Sequence, residues 1–113
     1  MLIIKVGGLA LQPASIPQLA DELSTLTSQS SVALVHGGGK AVTQLSEKLG
    51  IRSLFEEGLR MTSEAEMDVV DMVLSGKMNK QLVRALQTHA IPAAGISGSD
   101  GGLFVGKPVR NKA

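Results

Sequence analysis

Hydrophobic positions fall first into a short continuous run and then into a helical stripe, and this sequence of patterns occurs twice. "MLIIKVGG" is apolar, rich in β-branched residues and closed by two glycines, which predicts a buried strand feeding a tight turn. Between Ser15 and Leu26, the side chains of Ile16, Leu19, Ala20, Leu23 and Leu26 recur at helical spacing and predict a helix with one face for a sheet. "SVALVHGGG" repeats the strand and the glycines, and Val42, Leu45 and Leu49 supply a second helical stripe that stops at Gly50, a C-terminal cap. Two successive strand-to-helix units predict parallel strands with right-handed crossovers, and hence an α/β fold.

From Ile51 to Met61 the periodicity fails, which predicts a loop or a short hairpin. "TSEAEMDVVDMVLSG" predicts a helix: Ser63 and Glu66 match a capping box, and Glu64, Glu66 and Asp68 crowd the positive end of its dipole. Met67, Val70, Val73 and Leu74 are expected to face the core. Gly76 is expected to break or bend this helix. "KMNKQLVRALQTH" then resumes helical spacing through Met78, Leu82 and Leu86, "IPAAGIS" reads as a further short strand, "SGSDGG" as a turn and "LFVGKPV" as a strand leaving it. No closing amphipathic helix follows "GKPVRNKA". A sheet edge needs cover, so further sequence beyond Ala113 is expected.

Composition narrows the function classes. The 113 residues suffice for one domain or part of one, and 43% hydrophobic with 19% charged residues describes a folded chain. Eleven Lys and Arg interleave with ten Asp and Glu, and Phe55 and Phe104 are the whole aromatic content. Neither a basic stripe nor a base-stacking surface for nucleic acid is present. No apolar run approaches the roughly 20 residues that cross a bilayer, and Met1 passes directly into "LIIKV" without a signal-peptide cleavage region. A cytoplasmic location and no membrane partner are expected. The absence of cysteine removes disulfides, thiol catalysis and thiolate metal sites, and two separated histidines give no basis for a metal centre.

The glycines carry the candidate chemistry. Gly37, Gly38 and Gly39 let backbone amides approach an anion, and a helix starting near Lys40 adds its own unpaired amides. The loop is not a Walker A sequence, because Lys40 precedes Ala41, and its spacing is not that of a dinucleotide fingerprint. In a parallel sheet, Lys5-Val6-Gly7-Gly8 and His36-Gly37-Gly38-Gly39 emerge at the same carboxyl edge, where open α/β sheets bind ligands. Lys5 lies inside an apolar run, so an anionic partner at its tip is expected, the alternative being an edge-strand lysine facing solvent. His36 reads as a packed histidine rather than a catalytic base. Lys40 either touches phosphate or is solvated. Arg60 either joins helix amides in gripping a carboxylate or forms a surface salt bridge with Glu56 or Glu57. Asn79 either anchors substrate or caps a helix or stabilises its bend, turn chemistry accounts for Ser97 to Gly102, and His89 reads as surface.

In order, "KVGG", "HGGGK", "EGLRMTSEAEMDVVDMVLSGKMNK" and "GISGSDGGLF" resemble the N-terminal portion of the acetylglutamate kinases, within the amino acid kinase family. The resemblance covers essentially the whole chain. It implies a three-layer sandwich with a mainly parallel sheet, here incomplete, in which residues 1–113 form the amino-acid-substrate-binding and dimerisation lobe and a nucleotide-binding lobe is missing. It further implies phosphoryl transfer from MgATP to the side-chain carboxylate of N-acetyl-L-glutamate, in a homodimer. On the matching positions, Lys5 contacts the transferring phosphoryl region. Gly7, Gly8, Gly37 and Gly38 donate amide hydrogens to phosphates and the reacting carboxylate, and Arg60 holds the substrate's α-carboxylate. The asparagine, aspartate and second lysine of the missing lobe have no counterpart here. Little kinase activity is therefore expected of the chain alone. Competing readings are a kinase for N-acetyl-aminoadipate in lysine synthesis and a non-catalytic module that binds N-acetyl amino acids.

Overall fold

The structure is a computed structural model that describes residues 1–107. Strand β1 (Leu2–Val6) leads through a turn-rich loop to helix α1 (Ile16–Thr27), then β2 (Val32–His36) and helix α2 (Gly39–Lys48). β1 and β2 pair in parallel with Lys5 opposite Val35 and Val6 opposite His36. The expected βαβα order is thus present, and both strands end at the same edge.

One face of this sheet is covered. Val6, Leu11, Ala20, Leu23, Leu82, Leu86 and Ile91 form a buried cluster with Ile4, Val32 and Leu34 against it, so α1 and helix α4 (Asn79–Thr88) lie under the sheet. Alternation along a strand sends Ile3, Lys5 and Val35 to the other face. There Ile3 is 72% exposed and Val35 and Lys5 are exposed as well. The buried first strand expected from its composition is therefore buried on one side only. The radius of gyration, 15.7 Å, exceeds the about 13 Å of a compact 100-residue domain, in keeping with the open face.

The segment from Ile51 to Met61 is a hairpin, β3 (Leu54–Glu56) antiparallel to β4 (Leu59–Met61), with Phe55 opposite Arg60. Glu57 and Gly58 both have positive φ, 49° and 80°, the two-residue turn whose twist suits paired strands. Helix α3 (Glu64–Val70) starts where expected: the Ser63 hydroxyl accepts the Glu66 amide at 3.2 Å. Gly76 does not break the chain. A π-helical segment, Asp71–Met78, carries the helix continuously into α4.

A second buried cluster, Val42, Val69 and Val73 with Ala41, Leu45, Ile51, Val70, Leu74 and Met78, joins α2 to α3 and the π-helical segment. Two expected core positions lie elsewhere: Met67 and Leu49 are exposed, while Val69 and Ser46 take the buried positions. The reason for Ser46 is polar, since its hydroxyl faces the carboxylate of Glu66.

"IPAAGIS" is not a strand. Burial alternates from Ile91 to Ile96 as in an extended chain, but the carbonyls of Gly95 and Ile96 accept from the Lys80 and Asn79 side chains instead of a ladder partner. Leu103 to Lys107 form no strand either, because the Phe104 amide turns back to the Gly98 carbonyl at 2.8 Å. The rest of "LFVGKPV" lies outside the described residues.

Candidate functional site

The parallel register brings Gly7 and Gly8 beside Gly37 and Gly38 at the carboxyl edge of the sheet. α2 begins at Gly39, so its first amides, which lack intrahelical acceptors, open onto the same edge. A Cβ built on Gly7, Gly8 or Gly37 would meet nothing within 4 Å, which leaves their backbones approachable. Gly38 differs. Its φ is +158° with ψ 27°, and a Cβ there would stand 2.8 Å from Leu74 Cδ2 and 3.1 Å from Met78 Cγ. Any larger residue there would have to displace the Leu74 and Met78 side chains and adopt a backbone conformation that favours glycine. Lys5 is exposed and has no hydrogen-bond or ion-pair partner among the described residues, so the burial on which an anionic partner was inferred is not observed. Lys40 is exposed as well.

Arg60 reaches this edge from the hairpin, and both of its terminal nitrogens are engaged. Its Nη2 donates to the Gly39 carbonyl at 3.0 Å and to Thr43 Oγ1 at 2.8 Å, at the first turn of α2. Its Nη1 donates to Ser53 Oγ at 2.8 Å and to Glu66 Oε1 at 2.5 Å. The Phe55 ring stacks on the guanidinium at 4.7 Å, a cation–π contact between cross-strand neighbours. The expected surface salt bridge with Glu56 or Glu57 is replaced by an ion pair with Glu66, whose side chain is 0% exposed.

Glu66 was legible only as half of a capping box; its side chain turns away from Ser63 into the core. Oε1 accepts from Ser53 at 2.5 Å and Ser46 at 3.4 Å besides Arg60, while Oε2 is buried without a partner among the described residues. The Ser53 hydrogen bond is the largest influence holding this carboxyl below its ordinary range. Burial opposes it, and Arg60 adds both a hydrogen bond and attraction. A signal for this role existed: Glu66, Val69 and Val73 share one helical stripe, so the acid stands where a core residue is expected.

His36 and Asn79 brace the other side of the loop. His36 Nδ1 lies 3.0 Å from the Gly37 carbonyl, which can only accept, and Nε2 lies 3.2 Å from Asn79 Nδ2, which can only donate. Both ring nitrogens therefore have protein partners, in keeping with the packed reading of His36. Asn79 is buried where the π-helical segment meets α4, and it ties that junction both to β2 and, at 3.4 Å, to the Ile96 carbonyl. Gly95 was unmarked by the sequence; a Cβ on it would fall 1.8 Å from Asn79 Oδ1. Asp100 closes its own turn by accepting from the Ser97 amide at 2.6 Å and hydroxyl at 3.1 Å. These bonds, with the attraction of Lys80, hold its carboxyl below the usual value against the opposing effect of burial.

Among the described residues no group of three His, Cys, Asp or Glu side chains could hold a metal ion, and no helix is long and apolar enough to cross a membrane. A groove of about 520 Å³ lined by Ser24, Thr27, Ser31, Ile91 and neighbouring residues sits at the start of β2, the opposite end from the glycine loops.

Residues 1–111 match the family profile described as the amino acid kinase family. Acetylglutamate kinase of Geobacillus thermodenitrificans is 44% identical over 109 residues, and that of Rubrobacter xylanophilus 40% over 108, each match covering 96% of this chain and 42% of the relative. The chain thus spans less than half the length of these relatives. Among solved structures, an N-acetylglutamate synthase from Neisseria gonorrhoeae, complexed with coenzyme A and N-acetyl-glutamate, superposes with a TM-score of 0.67 at 21% identity. That match covers 82% of this chain and 22% of the synthase, and it supports the fold alone. A protein of Streptococcus mutans UA159 superposes with a TM-score of 0.64 at 27% identity over 79% of this chain and 36% of its own. With two strand–glycine–helix units in parallel register and a family match over almost its entire length, the chain belongs to the amino acid kinase family, with an α/β amino-acid-kinase-like fold.

Proposed function

We propose that this chain supplies the substrate- and phosphoryl-binding portion of an acetylglutamate kinase of arginine biosynthesis. The reaction is transfer of the γ-phosphoryl group of MgATP to the side-chain carboxylate of N-acetyl-L-glutamate, giving N-acetyl-L-glutamyl 5-phosphate and ADP in the cytoplasm. The observation that carries this reading is the pairing of Val6 with His36, which sets two glycine loops side by side at one sheet edge. The substrate is suggested by the acetylglutamate kinases, 40–44% identical over nearly all of the chain.

Both reactants are anions, so the barrier is lowered chiefly by positive charge and preorganised amides rather than by a base. The open space around Gly7, Gly8 and Gly37 suits close approach of phosphate and carboxylate oxygens to the backbone. In this reading the Gly7 and Gly8 amides and Lys5 hold phosphate, Gly37 and Gly38 hold the reacting carboxylate and the phosphoryl group, and Arg60 holds the α-carboxylate. Lys5, free of protein partners among the described residues, swings its ammonium onto charge that accumulates on the transferring group. Magnesium enters with the nucleotide. The carboxylate is its own nucleophile, which leaves His36 to its bonds with Gly37 and Asn79. The complete enzyme works as a homodimer.

Calorimetric titration of the purified chain with N-acetyl-L-glutamate tests the reading, with N-acetyl-L-aminoadipate as the competing substrate. Saturable binding of the first, weaker binding of the second, and no acyl phosphate above background from the 113-residue chain with MgATP are expected. Failure to bind N-acetyl-L-glutamate at millimolar concentration, or preference for the aminoadipate, would overturn it.

A further inference from the structure

We propose that Glu66 is a positioning residue for the carboxylate site: buried and out of reach of any ligand, it fixes the Arg60 guanidinium against the glycine loop. The inference rests on the reading that Arg60 holds a substrate carboxylate. A fully buried carboxylate needs a cation and further donors to stay charged, and Glu66 has them from three separate parts of the chain. Ser46 comes from α2, Ser53 from the loop before β3, and Arg60 from β4. Glu66 thereby ties the hairpin to the second core cluster through one oxygen.

The consequence for Arg60 is geometric. With Nη1 held by Glu66 and Ser53, and Nη2 held by Gly39 and Thr43, the guanidinium plane is set before any ligand arrives. The rotamer freedom of a long side chain is then lost on folding rather than on binding. Because Nη2 bonds the Gly39 carbonyl directly, the guanidinium is anchored to the residue that follows Gly37 and Gly38. Among the described residues Nε has no acceptor, which leaves its N–H as the donor presented to a ligand. Without Glu66 the arginine keeps its charge and loses its fixed direction.

The test is titration of N-acetyl-L-glutamate into the chain and into Glu66→Gln, Ser53→Ala, Arg60→Ala and the Glu66→Gln/Arg60→Ala double variant, with folding followed by circular dichroism. Arg60→Ala and Glu66→Gln are each expected to weaken binding about tenfold, the size of one good charge-assisted hydrogen bond. In the double variant, Glu66→Gln should add less than about twofold, because nothing is left to position. Ser53→Ala removes a donor without stranding a buried charge. It should weaken binding about threefold in a folded protein, and it keeps the inference testable if Glu66→Gln does not fold. Wild-type affinity in both Glu66→Gln and Ser53→Ala, with Arg60→Ala impaired, overturns the positioning role alone. Additive losses in the double variant also overturn it, since they mean that Glu66 acts through general stability. Unchanged affinity in Arg60→Ala overturns the carboxylate reading and this inference with it.

Discussion

The loop after β1 and the loop after β2 each carry glycines to the same sheet edge, but they differ in what surrounds them. Gly7 and Gly8 have open space where side chains would be, and Lys5 beside them has no partner among the described residues. The second loop is braced on both sides of an open Gly37: His36 by Asn79, Gly38 between Leu74 and Met78, and the Gly39 carbonyl by Arg60. One loop is a preformed wall and the other a free one. For a site that must hold two anions together, this division is useful, because a rigid wall orients one reactant while an unconstrained lysine follows the charge as it moves.

The largest effect that tests this contrast is expected at Gly38. Alanine there must place a Cβ 2.8 Å from Leu74 and adopt a φ of +158°, so overpacking and backbone strain combine. Gly38→Ala should lower unfolding free energy by about 2–4 kcal/mol in urea denaturation. A loss under about 0.5 kcal/mol, the size of an ordinary surface substitution, would mean that the second loop is no more braced than the first.

A smaller and pH-dependent effect is expected from the polar brace. The Glu66 carboxyl is held below its ordinary value of 4.5, so its native-state bonds stabilise the fold above that pH. That contribution is lost as pH falls from about the ordinary value through the depressed one, because the unfolded chain takes up the proton first. Melting temperature measured from neutral pH downward should therefore drop through the carboxylate range. Glu66→Gln should start lower at neutral pH and show a shallower acid limb. Parallel curves for the two proteins would assign the acid sensitivity elsewhere, with Asp100 and its Ser97 bonds the next group to examine.

Much of this arrangement was legible because it is local. Hydrophobic spacing located α1, α2 and α4, Gly50 closes α2 with a φ of 72°, and two strand–glycine–helix units implied the parallel register that aligns the loops. The brace was not legible because its partners are distant in sequence. Proximity suggested Glu56 or Glu57 for Arg60, yet folding of the hairpin onto α3 supplies Glu66. The same holds for "IPAAGIS", whose composition is that of a strand. Its carbonyls are taken by Lys80 and Asn79, and nothing in the segment itself records that competition. Burial misled at Lys5 for a related reason. An apolar run predicts a strand covered on both faces, and among the described residues helices cover only one.

The smallest expected effect concerns the free loop, and it is informative because a near-null result in stability is paired with a change in binding. Gly7 has no neighbour within 4 Å of a built Cβ and its φ is not positive, so Gly7→Ala should shift unfolding free energy by less than about 1 kcal/mol, in either direction. Lys5→Ala should change it by less than about 0.5 kcal/mol, as for an exposed residue without partners. If Lys5 nevertheless serves the transferring phosphate, Lys5→Ala should weaken binding of inorganic tripolyphosphate by about threefold to tenfold, with the difference shrinking as salt is added. A stability loss above about 1 kcal/mol would show that Lys5 is already committed within the fold, since an uncommitted surface lysine has no such contribution to lose. Unchanged tripolyphosphate affinity would instead leave the first loop open but without a charge-bearing role, and the division between a fixed wall and a mobile cation would then rest on the second loop alone.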